Sequence, residues 1–394
     1  MNNKKSFLSG LAVGMSIIIF INIGFFGFRI AMGMTGHSNL GMNQKVQKIL
    51  TYLNKFYVDK IDETSLEEGM YKGLVSGVGD PYTTYMSKEE FENFQTETTG
   101  RYAGIGVVVS VDQTDQLITV VSPFEGSPGA KAGLLPGDKI IKVNDFEVTG
   151  DDLNEAVSMM KGPAGTKVKL TVYRKSEFKT FEVEITRANI DYPTVSHRML
   201  DDQIGYIKIV SFDEVTYNQF MNAYKDLNSK GQKGLIIDLR NNPGGLLSTV
   251  TKIADQLLPE GLIVYTEDKN GKRDTYMSDA NEIKVPLVLL VNENSASASE
   301  ILSGAVKDHN KGKLVGTTTF GKGLVQSIYP LGDGSAVKIT ISKYYTPSGV
   351  CIQGIGIEPD YVVELSDELK SRLTLEESED IQLKKAIEVI KEQL

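Results

Sequence analysis

Short apolar runs alternate with helical segments after Asp201, and this alternation restricts the fold of the chain more than any other feature. The predicted strands are Ile204–Val210, Gly234–Asp238, Leu287–Val291 and Leu314–Val315, and the predicted helices are Tyr217–Asn228, Leu246–Leu258 and Ala298–Lys307. Such alternation indicates an α/β core with a largely parallel sheet. We place this core at residues 189–366.

A β-rich module precedes the core, and we place it at residues 100–188. Its predicted strands are Ile105–Val111, Leu117–Val121, Lys139–Val143, Lys167–Arg174 and Thr180–Ile185. Two helical pieces, Ser127–Ala132 and Asp151–Met160, interrupt these strands. The pattern of short β-rich runs between turns predicts a compact β domain.

The first 35 residues differ from the rest, because Phe7–Phe28 is an apolar stretch of 22 residues without a charge. A helix that spans a bilayer needs about 20 residues, and Lys4 and Lys5 favour a cytoplasmic N-terminus. We therefore predict a single-pass cell-membrane anchor at residues 1–35, with the rest of the chain outside the cytoplasm. A cleaved signal peptide is the alternative, although its apolar core is usually about 7–15 residues long.

Helical segments flank the two modules. Residues 36–99 are predicted to form a small helical domain, whose third helix starts with a capping box between Ser87 and Glu90. A helix is also predicted in the last segment, residues 367–394. One face of it carries the apolar residues Leu383, Ile387, Ile390 and Leu394. Such a stripe needs a partner, which is either the body of the protein or a second subunit in a homodimer.

The composition excludes several classes of function. The net charge is −9 and no long basic run is present, so we expect no nucleic-acid partner. The three histidines, His37, His197 and His309, include no pair at the i, i+4 spacing of a zinc hydrolase. We therefore expect neither a metal nor a cofactor. The single cysteine, Cys351, cannot form an intramolecular disulfide.

Ser297 is the candidate nucleophile, in a turn of small residues between the strand Leu287–Val291 and a helix. The free N–H groups and partial positive charge of a helix N-terminus suit an oxygen that becomes negative during acyl transfer. A purely structural role is the alternative, since Ser297 and Glu300 have the spacing of a capping box. His309 lies twelve residues further along the same helix, too far away to act as a base.

Lys322 is the candidate base, and a glycine stands on each side of it. A lysine accepts a proton only when it is neutral, and burial can lower its pKa from about 10.4 by as much as ~3–5. Gln326 lies on the same face whether the segment is a strand or a helix. Its neutral amide can hold the amine without restoring the charge. A solvated loop lysine is the structural alternative.

The segment Ala132–Asn144 resembles PDZ domains over more than a dozen positions. Upstream, Gly104, Ile105, Gly106 and Val107 resemble the carboxylate-binding loop of that family. The resemblance implies that backbone N–H groups hold a terminal carboxylate while the peptide adds as a strand to the sheet edge. A dinucleotide-binding loop is the alternative for the two glycines, but a strand follows them instead of a helix.

Together with the PDZ-like module, Ser295–Glu300 and Phe320–Gln326 resemble the carboxyl-terminal processing peptidases, also called tail-specific proteases. The resemblance runs from about residue 45 to 365 and includes Gly79–Tyr82 and Asp238–Gly245. It implies an α/β, crotonase-like protease core with an inserted PDZ domain and an N-terminal helical unit.

The same resemblance assigns roles to individual residues. It implies that Ser297 is the nucleophile, that Lys322 is the base and that Gln326 orients the lysine. It also implies an oxyanion hole formed by the backbone N–H groups of Ala298 and of Gly245 or Gly244.

The predicted function is therefore a serine endopeptidase that cleaves extracytoplasmic proteins or peptides recognised by their free C-termini. The alternative is a catalytically inactive, membrane-tethered PDZ scaffold or ligand-binding protein. The presence of both Ser297 and Lys322 counts against that alternative. A Ser-Lys signal peptidase is a second enzymatic alternative, but that family lacks a PDZ domain.

Overall fold

The computed structural model describes residues 41–370, 372 and 376–394. The described residues divide into two compact units, with the boundary between Tyr71 and Lys72. The predicted anchor Phe7–Phe28 lies outside the described residues. Among the residues that are described, no helix combines the length and the apolar character that crossing a membrane requires.

The described N-terminal residues are largely helical, as predicted. Helices α1 (Met42–Phe56) and α2 (Glu63–Ser76) come first, followed by a short strand β1 (Thr84–Met86) and helix α3 (Lys88–Thr99). Ser87 caps α3, and the predicted capping box is complete. The Glu90 N–H donates to the Ser87 hydroxyl at 3.3 Å, and the Ser87 N–H donates to the Glu90 carboxylate at 2.8 Å.

The β-rich module contains the predicted strands and helical pieces. Its elements are β2 (Arg101–Gly104), β3 (Val107–Val111), β4 (Ile118–Pro123), α4 (Pro128–Lys131), β5 (Lys139–Val143), β6 (Phe146–Glu147), α5 (Leu153–Met160), β7 (Lys167–Arg174), β8 (Lys179–Thr186) and β9 (Ala188–Asp191). The strands pair antiparallel in the order β3-β4-β5-β7-β8. A buried core that includes Ile118, Ile140 and Leu170 fills the space between this sheet and α5. Strand β3 lies at an edge of the sheet.

The α/β core follows. Its elements are β10 (Val195–Met199), β11 (Ile204–Ile209), α6 (Thr216–Ser229), β12 (Gly234–Asp238), α7 (Leu247–Leu257), β13 (Gly261–Asp268), β14 (Arg273–Ser278), β15 (Leu287–Val291), α8 (Ala298–Asp308), β16 (Lys313–Gly316), β17 (Leu324–Pro330), β18 (Ala336–Tyr345), β19 (Tyr361–Val362), α9 (Asp367–Lys370) and α10 (Ile381–Lys391). One sheet has the order β10-β11-β12-β15-β16-β19, and every pair except β10–β11 is parallel. The predicted parallel sheet is therefore confirmed.

Helices cover this parallel sheet on both faces. Ile237 and Leu289 pack with residues of α6, α7 and α8 in one core cluster. The neighbouring residues Ile236 and Val288 point the other way and pack against α10. Because successive side chains of a strand alternate between faces, burial on both faces requires strands that are apolar at every position.

A second sheet was not predicted from the sequence. It is antiparallel, has the order β1-β18-β13-β14, and contains β17 as a further strand paired with β18. Strand β18 alternates buried or half-buried residues with exposed ones. Strand β17 follows directly after Lys322, so this sheet supports the candidate base.

The apolar stripe of the C-terminal helix is covered by the body of the protein. Leu383 and Ile390 are buried against the parallel sheet, and Ile387 packs on the same cluster. Leu394, at the end of the stripe, stays exposed. The stripe therefore has its partner within the chain, and homodimer formation stays a prediction.

A buried ion network fixes this helix to the end of β12. The Arg240 guanidinium contacts Asp238 at 2.7 Å and Asp380 at 2.8 Å. Burial disfavours the charge on Asp238, but the charge and hydrogen bonds of Arg240 outweigh it and lower the pKa of this carboxyl group. Asp380 is the N-cap residue of α10 and accepts the Leu383 N–H. The network thus joins α10 to the loop that follows β12.

We expect Asp380→Ala to destabilise the protein by about 3–5 kcal/mol, because it leaves the buried Arg240 with one carboxylate partner fewer and removes the helix cap. Urea unfolding monitored by circular dichroism measures this loss. Glu388→Ala, which breaks an exposed pair with Lys385 on the same helix, is the matched control and should change stability by under about 0.5 kcal/mol. Equal effects of the two variants would contradict the role given to the network.

Candidate active site

Ser297 lies where the buried central strand β15 turns into helix α8. The turn is held by Ser295, whose hydroxyl donates to the Leu239 carbonyl oxygen at 2.8 Å. Ser297 itself has φ of 54° and ψ of −110°, a backbone conformation that side chains with a Cβ rarely adopt. Such strain costs on the order of 1–3 kcal/mol and is concentrated at functional sites.

The capping interpretation of Ser297 is only partly correct. Ser297 is the N-cap residue of α8, and its N–H donates to the Glu300 carboxylate at 2.8 Å. The two residues have the arrangement of a capping box, but the contact of the Ser297 hydroxyl with the Glu300 N–H does not have the geometry of a hydrogen bond. The N–H groups of Glu300 and Ile301 donate to the Ser297 carbonyl oxygen instead, at 2.9 and 3.0 Å. The strained backbone therefore leaves the hydroxyl for another task.

Two glycines after β12 come close to Ser297. A Cβ on Gly244 would lie 2.8 Å from the Ser297 Cβ and 2.9 Å from the Ala298 nitrogen, so only glycine allows this approach. The Gly244 N–H already donates to the Asn242 side chain at 2.9 Å. The N–H groups of Gly245 and Ala298 donate to no acceptor within the described part of the chain. Gly245 and Ala298, with free N–H groups, are therefore the better candidates for the oxyanion hole.

Glu300 joins the serine turn to the lysine loop. It is fully buried, and its carboxylate accepts four hydrogen bonds. The donors are the Ser297 N–H (2.8 Å), the Lys322 N–H (2.9 Å), the Gly321 N–H (2.7 Å) and the Thr319 hydroxyl (2.6 Å). Ser297 and Lys322 donate to the same oxygen, Oε2. Their backbone nitrogens are therefore no more than 5.7 Å apart, the sum of the two distances.

The side chain of Lys322 lies in an environment that disfavours its charge. Burial is the main cause that lowers the pKa of this amine, and the neighbouring charge of Lys338 lowers it further. The carboxylates of Asp80 and Glu300 act in the opposite direction. The Nζ atom lies over the Tyr82 ring, 4.5 Å from its centroid. The net shift favours the neutral amine that a general base requires.

Gln326 lies on β17, four residues after Lys322, and lines the same cleft. Its amide nitrogen donates to the Thr340 hydroxyl at 3.2 Å. Within the described residues, no hydrogen bond joins the Gln326 amide to the Lys322 amine. The role of Gln326 in orienting the lysine stays a prediction.

The residues of the carboxylate-binding loop form a tight turn before β3. Gly106 has φ of 73°, and a Cβ there would lie 2.4 Å from the Ser127 Cβ, so the position requires glycine. The Gly106 carbonyl accepts the Ser127 hydroxyl at 2.9 Å, and the Ile105 carbonyl accepts the Gly129 N–H at 2.7 Å. Gly104 ends β2 and Val107 begins β3. These bonds fix the loop at the free edge of the PDZ-like sheet.

One cleft of about 940 Å³ contains both sets of residues. Its walls include Ile105, Gly106 and Val107 from the β-rich module and Ser297 and Lys322 from the α/β core. The cleft is therefore continuous from the loop to the candidate nucleophile and base. Within the described residues, no cluster of three or more potential metal-ligating side chains is present.

Comparison with known proteins identifies the family. Residues 203–363 match the family model "Peptidase family S41", residues 119–174 match "PDZ domain", and residues 32–90 match "Activating protease CtpB N-terminal domain". A carboxy-terminal-processing protease of Bartonella bacilliformis is 41% identical over 82% of this chain and 76% of its own length. The carboxy-terminal processing protease CtpA of Bacillus subtilis is 39% identical over 83% of this chain and 70% of its own length.

The chain therefore belongs to the S41 peptidases and is a carboxy-terminal processing serine endopeptidase with a PDZ domain. A solved structure assigned to the S41 proteases, from Bacteroides fragilis, superposes with a TM-score of 0.52 at 16% identity, covering 86% of this chain and 93% of that one. The likeness to that structure concerns the fold alone. The predicted family and fold class are confirmed, and the PDZ domain indicates that the protein binds peptides.

Sequence reasoning missed three residues around the candidate base. Glu300 was interpreted only as a helix cap, although its position three residues after Ser297 was a usable signal. The sequence places Tyr82 only within the family resemblance, and no motif in it indicates a role for Lys338. Nothing local in the sequence places either residue beside Lys322, because both reach it through the second sheet: β1 and β17 pair with opposite edges of β18.

We expect Lys338→Met to move the acidic limb of the pH profile of kcat/KM to higher pH. The charge of Lys338 lowers the pKa of Lys322, so removing it raises that pKa and a higher pH is needed to deprotonate the candidate base. Steady-state hydrolysis of one peptide across the pH range measures the shift. Lys343→Met, an exposed lysine on the same strand, is the control and should leave the profile in place.

Proposed function

We propose that this protein cleaves peptide bonds with a Ser297–Lys322 catalytic pair. The observation that carries the proposal is the buried Glu300 carboxylate, which binds the backbone N–H groups of both residues through one oxygen. Neutral Lys322 accepts the proton of the Ser297 hydroxyl as the oxygen attacks the substrate carbonyl. The proton then passes from Lys322 to the leaving amine, and water releases the acyl group from Ser297 in a second, equivalent step.

The remaining residues of the site stabilise this reaction. The free N–H groups of Gly245 and Ala298 are proposed to hold the negative oxygen of the tetrahedral intermediate. Gln326 is proposed to orient the Lys322 side chain as it moves from the Tyr82 ring towards Ser297. Ser295 and Ser299 are poorer nucleophiles, because their hydroxyls already donate to backbone carbonyl oxygens at 2.8 and 3.0 Å.

We also propose that the substrate is a protein or peptide with a free C-terminus. The loop Gly104–Val107 binds the terminal carboxylate through its N–H groups, and the chain then extends along the edge of β3. The shared cleft supports this proposal, because a chain held at Val107 can reach Ser297 without leaving the protein surface.

We expect Ser297→Ala and Lys322→Ala each to lower kcat/KM by at least about 10³-fold, because each removes one member of a pair that acts as a unit. The assay follows hydrolysis of an unstructured peptide with an apolar free C-terminus, and the same peptide with a C-terminal amide should be cleaved more slowly by the wild type. Ser299→Ala is the matched control and should retain activity within about tenfold. Undiminished cleavage by the Ser297 variant would reject the assignment, and equal cleavage of acid and amide would reject C-terminal recognition.

We further propose that residues 1–35 anchor the protein in the cell membrane, with the protease domain outside the cytoplasm. The charge-free stretch Phe7–Phe28 and the preceding lysines support this location. The full-length protein should stay in the membrane fraction after alkaline extraction and be degraded by protease added to spheroplasts. A chain released by extraction, with a new N-terminus near residue 33, would indicate a cleaved signal peptide instead.

A further inference from the structure

We propose that the turn Gly79–Tyr82 positions Lys322 for catalysis by fixing the orientation of the Gln326 amide. Asp80 and the Thr340 hydroxyl determine which end of this amide faces the lysine, so that its carbonyl oxygen is presented to the amine. The inference rests on the proposed function and deepens it by naming Asp80 and Thr340 as positioning residues. The turn belongs to the segments that resemble the family, but no step of the reaction has so far required it.

The turn lies directly beside the amine of Lys322. It connects α2 to β1, and β1 pairs with β18. The Tyr82 ring centroid is 4.5 Å from the Lys322 Nζ atom, and the charge of Asp80 acts on the same amine. A segment from far upstream in the chain therefore forms one side of the surroundings of the candidate base.

Asp80 organises this turn as a hydrogen-bond acceptor. Its carboxylate accepts the Tyr82 N–H at 3.1 Å and the Thr83 hydroxyl at 2.6 Å, and the Thr83 oxygen accepts the Thr340 N–H at 3.0 Å. Burial raises the pKa of Asp80, but hydrogen bonds from Thr340, Thr83 and the Tyr82 N–H outweigh it and lower the pKa. Asp80 is therefore ionised at neutral pH, and an ionised carboxylate can only accept hydrogen bonds.

Thr340 connects this turn to Gln326. It lies on β18 directly opposite Gln326 on β17. Its side chain hydrogen-bonds to the Asp80 carboxylate, and its oxygen accepts the Gln326 Nε2 at 3.2 Å. A hydroxyl group has one proton to donate. Because Asp80 takes this proton, the Thr340 oxygen can only accept a hydrogen bond from Gln326.

The direction of these bonds fixes the Gln326 amide. Its NH₂ group must face Thr340, and its carbonyl oxygen, which accepts no hydrogen bond within the described part of the chain, is left for another donor. A carbonyl oxygen accepts an N–H of the Lys322 amine and leaves the lone pair of that nitrogen free for the proton of Ser297. The opposite orientation would direct N–H groups at the amine and compete for its lone pair.

Asp80 and Thr340 act on the reaction and not on substrate binding. Gln326 and Lys322 line the catalytic cleft, whereas Asp80 and Thr340 do not. A change at either position should therefore lower kcat and leave KM nearly unchanged. The Gln326 oxygen also accepts from the ammonium group that forms when Lys322 takes the serine proton, so its orientation matters most after the proton has moved.

The first test compares Thr340→Val with Thr340→Ser in hydrolysis of the unstructured peptide. The valine keeps the branched shape that suits a strand but lacks the hydroxyl, and the serine keeps the hydroxyl as the matched control. Thr340→Val should lower kcat by about tenfold, with KM within about twofold. Thr340→Ser should keep kcat within about threefold. A wild-type kcat in the valine variant, or equal losses in both variants, would overturn the proposal.

The second test asks whether Thr340 acts through the amide. It measures kcat of Gln326→Ala with and without Thr340→Val. Once the amide is gone, loss of the hydroxyl should have no further effect, and the double variant should stay within about twofold of Gln326→Ala alone. A further tenfold loss in the double variant would show an independent role of Thr340 and overturn the proposal, as would a wild-type kcat in Gln326→Ala.

The third test uses Asp80→Asn. The asparagine amide can donate to the Thr340 oxygen, which frees the hydroxyl proton for the Gln326 carbonyl oxygen and releases the amide from its fixed orientation. The plateau of kcat/KM against pH should fall by about tenfold.

The pH profile of Asp80→Asn separates positioning from a loosened fold. The Asp80 charge raises the pKa of Lys322 and the lost Gln326 acceptor also favours the ammonium form, so the variant should have its acidic limb at lower pH. Glu300 and Lys338, the other charges that act on this amine, stay in place. A lower plateau with an unmoved limb would indicate a structural role only, and a moved limb with a full plateau would indicate a charge effect only. Either result overturns the proposal.

The outcomes also separate this inference from the proposed function. Undiminished cleavage by Ser297→Ala overturns both. Cleavage that depends on Ser297, together with a wild-type kcat in Thr340→Val, overturns the positioning role alone. If circular dichroism shows that Thr340→Val does not fold, Asp80→Asn in the Gln326→Ala background decides, because its plateau should match that of Gln326→Ala.

Discussion

The active site depends on one buried carboxylate. Glu300 has no cation partner among the described residues, and its charge is balanced by four N–H and O–H donors and by the N-terminus of α8. Because two of these donors are the backbone N–H groups of Ser297 and Lys322, the bonds that satisfy Glu300 also limit the distance between the candidate nucleophile and the candidate base. Leaving a buried carboxylate without hydrogen-bond donors costs free energy. The turn of Ser297 and the loop of Lys322 must therefore stay close enough to Glu300 to donate to it.

Several features of this site oppose stability and favour reactivity. Ser297 has a strained backbone, Lys322 has a half-buried side chain, and the N–H groups of Gly245 and Ala298 have no acceptor within the described residues. A substitution that removed any one of these unfavourable features is expected to inactivate the protein. The surrounding structure, above all the parallel sheet covered on both faces and the ion network of Arg240, supplies the rigidity that holds these groups in place.

The loop before β3 and the residues Ser297 and Lys322 line one continuous cleft. The edge of β3 and the edge of β17 both present unpaired backbone groups to the cleft that contains Ser297. Free edges are a risk for aggregation in most proteins, and here each is placed inside a cleft between modules. The PDZ domain and the protease core therefore both contribute walls to the same cleft.

The sequence by itself determined the parallel sheet and the PDZ module, and it singled out Ser297, Lys322 and the glycine turn at Gly244 and Gly245 as candidate site residues. These features are local: strands buried on both faces are continuous apolar runs, and turns that need positive φ or close approach need glycine. The antiparallel sheet was not predicted, since β17 and β18 are half-exposed strands with mixed polarity. Only the tertiary structure places Tyr82 and Lys338 near Lys322. It also brings the loop of Gly321 and Lys322 to the Glu300 carboxylate, which accepts the N–H groups of both residues. Those contacts join residues far apart in the chain, and their geometry depends on how β1, β17 and β18 pair, which no local pattern encodes.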